Sequence, residues 1–146
     1  RMGDIGGFFF KDTAPTEIYT RSLHDALPIY ITNEPDDEES PVRFLVSSSD
    51  YDVEALIATT STWLRKKVRP EKIQAQIHAY AKVYPNLIKH DRRYPSPKHL
   101  LSVTRAHLPL YGMSGVGDGK DSPGSNLLIA TIDNSDALRV WVSVGA

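Results

Sequence analysis

Cysteine is absent from this chain. That excludes disulfide cross-links and thiolate-held metals, but leaves the compartment open, because a cysteine-free protein is compatible with reducing and oxidising surroundings alike. Long hydrophobic runs are absent too. No stretch approaches the roughly 20 apolar residues that span a bilayer, and residues 6–10 are too short for a secretion-signal core and lack a small-residue cleavage site behind them. Nor does either charge dominate. Seventeen basic residues stand against 18 acidic ones, a net charge of −1, so the molecule as a whole carries no field to gather nucleic acid or an anionic membrane. What is present suits one domain: 146 residues, 40% hydrophobic and 24% charged, can close a single modest core.

Periodicity divides the chain at about residue 30. The leader, with Phe8-Phe9-Phe10 and then KDTAPTE, shows neither a period of 2 nor one of 3.6, and Leu27-Pro28-Ile29 makes a poor strand because proline donates nothing to a ladder. Beyond it, Asp36-Asp37-Glu38-Glu39 places acids where they favour a helix N-terminus, ahead of apolar Val42, Phe44, Leu45 and Val46, and a helix is expected at about 37–47. The run VEALIAT at 53–59 is short and apolar, as a strand buried on both faces should be. Ile73, Ile77, Tyr80 and Tyr84 define a helix from Pro70 to about Tyr84, with Pro85 as its stop. A weaker helix is expected over 97–107, then a glycine-rich loop, YGMSGVGDGKDSPGS, a helix over 125–133 and a strand over 138–144.

Strands alternating with helices predict an α/β fold with a mostly parallel sheet and helices on both faces. In such sheets ligands lie beyond the carboxyl ends of the strands. Three features are expected at that edge: the acidic cluster Asn33 to Asp37, the turn Thr60-Ser61-Thr62-Trp63, and the glycine loop. Carboxylates gathered there suit a hard cation, which in turn can lower the pKa of a bound water.

Two resemblances follow. The stretch KDTAPTEIYTRSLHDALPI closely resembles the translation of a short-read sequencing adapter, with Pro15 and Arg21 as single-base departures. Residues 1–29 are therefore expected to be adapter-derived rather than native, and not to pack with the domain. The motifs ITNEPDDEES, IATTSTWLRKKVRPE, YPNLIKH, YGMSGVGDGKDSPGS and VWVSV, in that order, resemble the cellulose-binding protein family whose N-terminal domain is nucleoside-hydrolase-like. The family opens its first motif with Asp where this chain has Tyr30. Tyrosine and aspartate codons differ only in their first base, which is the base an adapter junction would overwrite.

The resemblance implies a Rossmann-type, nucleoside-hydrolase-like fold, with 30–146 as the N-terminal part of a longer, here truncated, domain. It is compatible with a secreted or periplasmic protein without fixing the compartment, and it implies that the native N-terminus is not in this sequence. Nucleoside hydrolases bind calcium and the ribose hydroxyls through separated aspartates followed by an Asp-Asp pair. Asp36 and Asp37 match that pair and are the implied calcium ligands. Tyr30 and Thr32 stand where the other two would be, so the usual catalytic base is unmatched. Asn33 and Glu34 belong to the cellulose-binding family's own motif and, with Thr62 and Trp63, are the implied substrate-binding residues. The implied partner is a sugar, nucleoside or polysaccharide, with no nucleic acid and no membrane. Two functions follow: hydrolysis of an N-glycosyl or related glycosyl bond by a calcium-activated water in the intact protein, or polysaccharide binding without turnover.

Plainer readings stand beside these. Asp36 and Asp37 also serve as N-terminal helix charges, and Trp63 suits ordinary packing as well as stacking on a sugar. Gly117-Asp118-Gly119-Lys120 lacks Walker spacing. His78, His90, His99 and His107 show no metal-ligand spacing. The basic run Arg65, Lys66, Lys67, Arg69 reads as a solvated face.

Overall fold

Apolar residues around Val53 form a strand because they find a core on each face. In the computed structural model, which describes the backbone of residues 23–29, 35–134 and 140–142 and the side chains of residues 39–133, this strand, β2, spans Tyr51–Ala58. Leu56 and Ala58 join Leu45, Ile73, Ile77, Tyr80 and Leu100 on one face, while Ala55 and Ile57 meet Leu127 and Leu128 on the other. Burying an aliphatic side chain of this size contributes about 1.5–3 kcal/mol, so Leu56, Ile77 and Leu100, all fully buried, dominate the first core. Strict alternation would send Val53 to the face of Ala55, yet it belongs to the first core. The register explains this: Asp25 pairs with Val53 and Ala26 with Ala55, so Glu54 is an extra residue that flips the strand's parity. At the same point His99 Nε2 lies 2.7 Å from the Val53 carbonyl, which can only accept, so the ring donates there.

Among the described residues the sheet has four strands in the order β3-β2-β1-β4, and each neighbouring pair is parallel. Its members are β1 (Leu23–Ile29), β2, β3 (Thr104–Ala106) and β4 (Val140–Val142). Helices α1 (Pro35–Val46), α2 (Pro70–His90) and α3 (Pro97–Ser102) lie on the route from β1 through β2 to β3. They supply Leu45, Ile73, Ile77, Tyr80 and Leu100 to one face. Helix α4 (Pro123–Asn134) carries the chain from β3 back to β4 and covers the other face with Leu127 and Leu128. This is the expected α/β architecture, with helices on both faces. The winding reverses between β1 and β4, which makes their carboxyl ends the topological switch point.

Three expectations need correction. Residues 23–29 were expected to stand apart with the leader, but they form β1, paired on both sides at the centre of the sheet. Ladder bonds are made by backbone, which is indifferent to where a sequence comes from, and the one donor Pro28 lacks does not break the pairing. Helix α2 does not stop at Pro85 but continues through it to His90. The ring lies on the exposed side, and Leu87, a turn beyond Tyr84, packs on the core and rewards continuation. The expected helix over 97–107 ends at Ser102, and Thr104–Ala106 become β3. There the Leu56 amide donates to the Val103 carbonyl and the His107 amide to the Ala58 carbonyl, so pairing with β2 overrides the helical pattern. Elsewhere boundaries move by a few residues: α1 begins at Pro35 and α4 at Pro123, and the described part of β4 is Val140–Val142.

Candidate functional site

Because the strands are parallel, the chain leaves β1, β2 and β3 at one edge. After β2 it turns sharply at Ser61. The buried Ser61 hydroxyl accepts from the amides of Trp63 (3.2 Å) and Leu64 (3.0 Å), and the backbones of Ser61 and Leu64 bond reciprocally at 3.3 and 3.2 Å. A serine doing this fixes a tight loop without any ladder. Its apex presents Thr62 and Trp63 to solvent, and Trp63 is 66% exposed. Large aromatics are seldom left so open.

The segment that follows β3 is laced to this turn. Thr60 Oγ1 donates to the Leu110 carbonyl (3.1 Å), and the Thr62 and Tyr111 hydroxyls meet at 2.8 Å. Arg65 Nε donates to the Thr62 carbonyl (2.9 Å) while its guanidinium lies 5.1 Å from the Tyr111 ring centroid, a cation–π distance. Gly115 folds back on Leu110 so closely that a Cβ there would sit 3.1 Å from the Leu110 carbonyl oxygen. The loop then reaches α4, whose first turn is held by Ser122 and Ser125. Each hydroxyl accepts the other residue's amide, at 2.9 and 3.0 Å. Gly124 lets that turn press on the ends of β2 and β3.

The residues singled out from sequence fall as follows. Thr62 and Trp63 stand at the apex of the turn after β2. Asp36 and Asp37 lie in the first turn of α1, which begins at Pro35, shortly after β1 ends at Ile29. Ile29 is in register with Ala58, so α1 starts from the edge at which the Ser61 turn stands. The side chains of Asp36 and Asp37, and Asn33 and Glu34 altogether, lie outside the described residues. Sequence reasoning placed the Thr60 to Trp63 turn and the glycine loop at this edge, but missed the links between them made by Thr60, Tyr111 and Arg65. The signal for Tyr111 was its position at the head of the glycine-rich motif, five residues beyond a strand, β3, too short to recognise.

Electrostatics separates the two edges of the sheet. Asp91 is held below the usual carboxylate range by hydrogen bonds from Arg93, which also lies 3.6 Å from Asp50. Asp50 immediately precedes β2, so this pair belongs to the amino edge, away from Trp63. Among the described residues, no group of three or more His, Cys, Asp and Glu could hold a metal ion, and no helix is long and apolar enough to cross a membrane.

The sequence profile described as "Cellulose-binding Sde182, nucleoside hydrolase-like domain" matches residues 29–146. Among solved structures, a nucleoside hydrolase-related hypothetical protein from Saccharophagus degradans, associated with carbohydrate metabolism, superposes with a TM-score of 0.79 at 38% identity. The likeness covers 84% of this chain and 30% of that one, so this chain spans under a third of its relative's length. No curated protein matches the chain by sequence.

Proposed function

The chain belongs to the family of cellulose-binding Sde182 nucleoside-hydrolase-like domains, and from that premise we propose that the carboxyl edge of its sheet binds a saccharide. The observation that carries this reading is the exposed Trp63, set on a serine-locked turn beside hydroxyl groups at the ligand-binding edge of a parallel sheet. A flat apolar face next to hydroxyl donors and acceptors matches a sugar ring, which is itself apolar on its faces and polar around its rim. The family is described as cellulose-binding, and the solved relative as associated with carbohydrate metabolism. A β-linked glucan is therefore the first ligand to try. Titration of cello-oligosaccharides, followed by tryptophan fluorescence, tests it. Trp63→Ala is expected to weaken binding about tenfold, the size of one aromatic contact. Unchanged affinity in that variant would sink the reading.

A second reading, for the intact protein, is hydrolysis of an N-glycosyl or related glycosyl bond. What favours it is the Asp36-Asp37 pair at the start of α1, directly after the strand that borders the switch point. Calcium bound there would supply an activated water. The donor set within this chain does not complete such a site: calcium takes six to eight oxygens, and Tyr30 and Thr32 replace two of the expected carboxylates. This chain, as written, is read as a binding unit without turnover. Release of free ribose from nucleosides by an intact relative, lost on calcium chelation, would establish the hydrolytic reading for the family.

A further inference from the structure

The loop joining β2 to α2 carries a charge pattern that a neutral glucan does not use. Residues 61–70, STWLRKKVRP, hold four bases, Arg65, Lys66, Lys67 and Arg69, and no acid. Arg65, Lys66 and Lys67 are exposed, and Arg69 is half-buried. Among the described residues no carboxylate is found paired with any of the four, whereas Arg93 pairs with Asp91 and lies 3.6 Å from Asp50. The overall balance of the chain is near neutral, so this is a local concentration of positive charge, placed immediately after the exposed Trp63.

Arg65 is the most specific of the four. Its Nε is held by the Thr62 carbonyl and its plane is held over Tyr111. The two terminal nitrogens make no hydrogen bond among the described residues. A guanidinium already fixed in this way loses little freedom when it accepts a planar, two-oxygen partner, and a carboxylate is that partner. Lys66, Lys67 and Arg69 add attraction without geometry.

We infer that the saccharide taken at this edge is anionic: a uronate-bearing chain, with one carboxylate on the Arg65 fork and a neighbouring ring against Trp63. The inference rests on the saccharide reading above and adds the charge of the ligand to it. A polynucleotide would also meet bases and an aromatic ring, but the basic run is short and the rest of the chain offers no matching excess of charge, so the glycan is the better fit.

The test compares a galacturonic acid trisaccharide with neutral cellotriose on the chain as it stands, by calorimetry at low and at high salt. The uronate is expected to bind roughly tenfold more tightly at low ionic strength, with the advantage shrinking as salt screens the lysines. Arg65→Lys keeps the charge but removes the fork, and is expected to cut the ratio of uronate to cellotriose affinity severalfold. Lys66→Ser with Lys67→Ser is expected to flatten the salt dependence while leaving the thermal midpoint where it was, both side chains being exposed. Equal affinity for the two sugars overturns the anionic inference and leaves the saccharide reading intact. Failure of both sugars to bind overturns both. Tighter binding of a single-stranded oligonucleotide than of either sugar also overturns the inference.

Discussion

At Gly124, α4 approaches the sheet closely. A Cβ added there would lie 2.7 Å from Ile57 Cγ2 and 3.1 Å from the Ala106 carbonyl oxygen, and neither Ile57 in its core nor the backbone of β3 can retreat far. Gly124→Ala is therefore expected to destabilise the fold by about 1–3 kcal/mol, the usual cost of overpacking, read as a lower urea midpoint. Tyr80 gives a second residue-level prediction. Burial raises its pKa from the ordinary 10.0 to about 12, and its hydroxyl donates to the Pro95 carbonyl at 2.9 Å. The folded state thus keeps a proton that the unfolded chain releases near pH 10. The stabilisation is whole below that pH and is lost as pH rises from about 10 through about 12. Tyr80→Phe should lower stability at neutral pH by about 1 kcal/mol and remove this alkaline slope; an unchanged slope in the variant would show that another group titrates. Neither residue announced itself in the sequence. Tyr80 was legible as a core position by its spacing, but its bond to Pro95 depends on how α2 and α3 fold together, and Gly124 read only as part of a flexible loop.

Among the elements, α2 shows where local rules are overridden. A proline at an interior helix position removes one bond and crowds the preceding turn, at a cost of about 3 kcal/mol relative to alanine, yet α2 runs through Pro85 for five more residues. The burial of Leu87 against the core is what holds the last turns in place. Because Pro85 itself is exposed, replacing it forfeits no packing. Pro85→Ala is expected to stabilise the protein by about 1–3 kcal/mol, visible as a higher thermal midpoint; a neutral or negative shift would mean that the proline ring fixes a bend the core needs. The same contrast explains which elements were readable. Helix α2 and strand β2 carry their own periodicity over many residues. Strand β3 has three residues and no period at all, and exists because β2 offers it a ladder. The site divides in the same way: Thr62 and Trp63 were legible as a polar turn after a strand, whereas Tyr111 joins them only through contacts made across 49 residues of chain.

At the scale of the whole molecule, alternation of strand and helix was enough to predict a parallel sheet, but strand order was not written in any pattern; it follows from which connections cross which face. Among the described residues the order β3-β2-β1-β4 leaves β3 and β4 as the outer strands, and β4 offers Val140-Trp141-Val142, a sequence with no charge to discourage pairing. On the same return limb, α4 exposes Ile129 and Ile132, 53% and 49% accessible and three residues apart, so they lie on one stripe of the helix. An outer strand without charge and an apolar helical stripe together favour association with further copies, because each supplies what the other lacks: ladder bonds that fix geometry and apolar area that drives burial. The chain is therefore expected to self-associate in the micromolar-to-millimolar range in which exposed edges and apolar surface become adhesive. Sedimentation velocity over a concentration series measures this directly. Ile129→Lys with Ile132→Lys should shift the onset of association to roughly tenfold higher concentration, since charge on the stripe opposes a second copy. If the chain stays monomeric into the millimolar range, neither feature is adhesive; if the double variant associates as readily as the original, the strand edge acts alone.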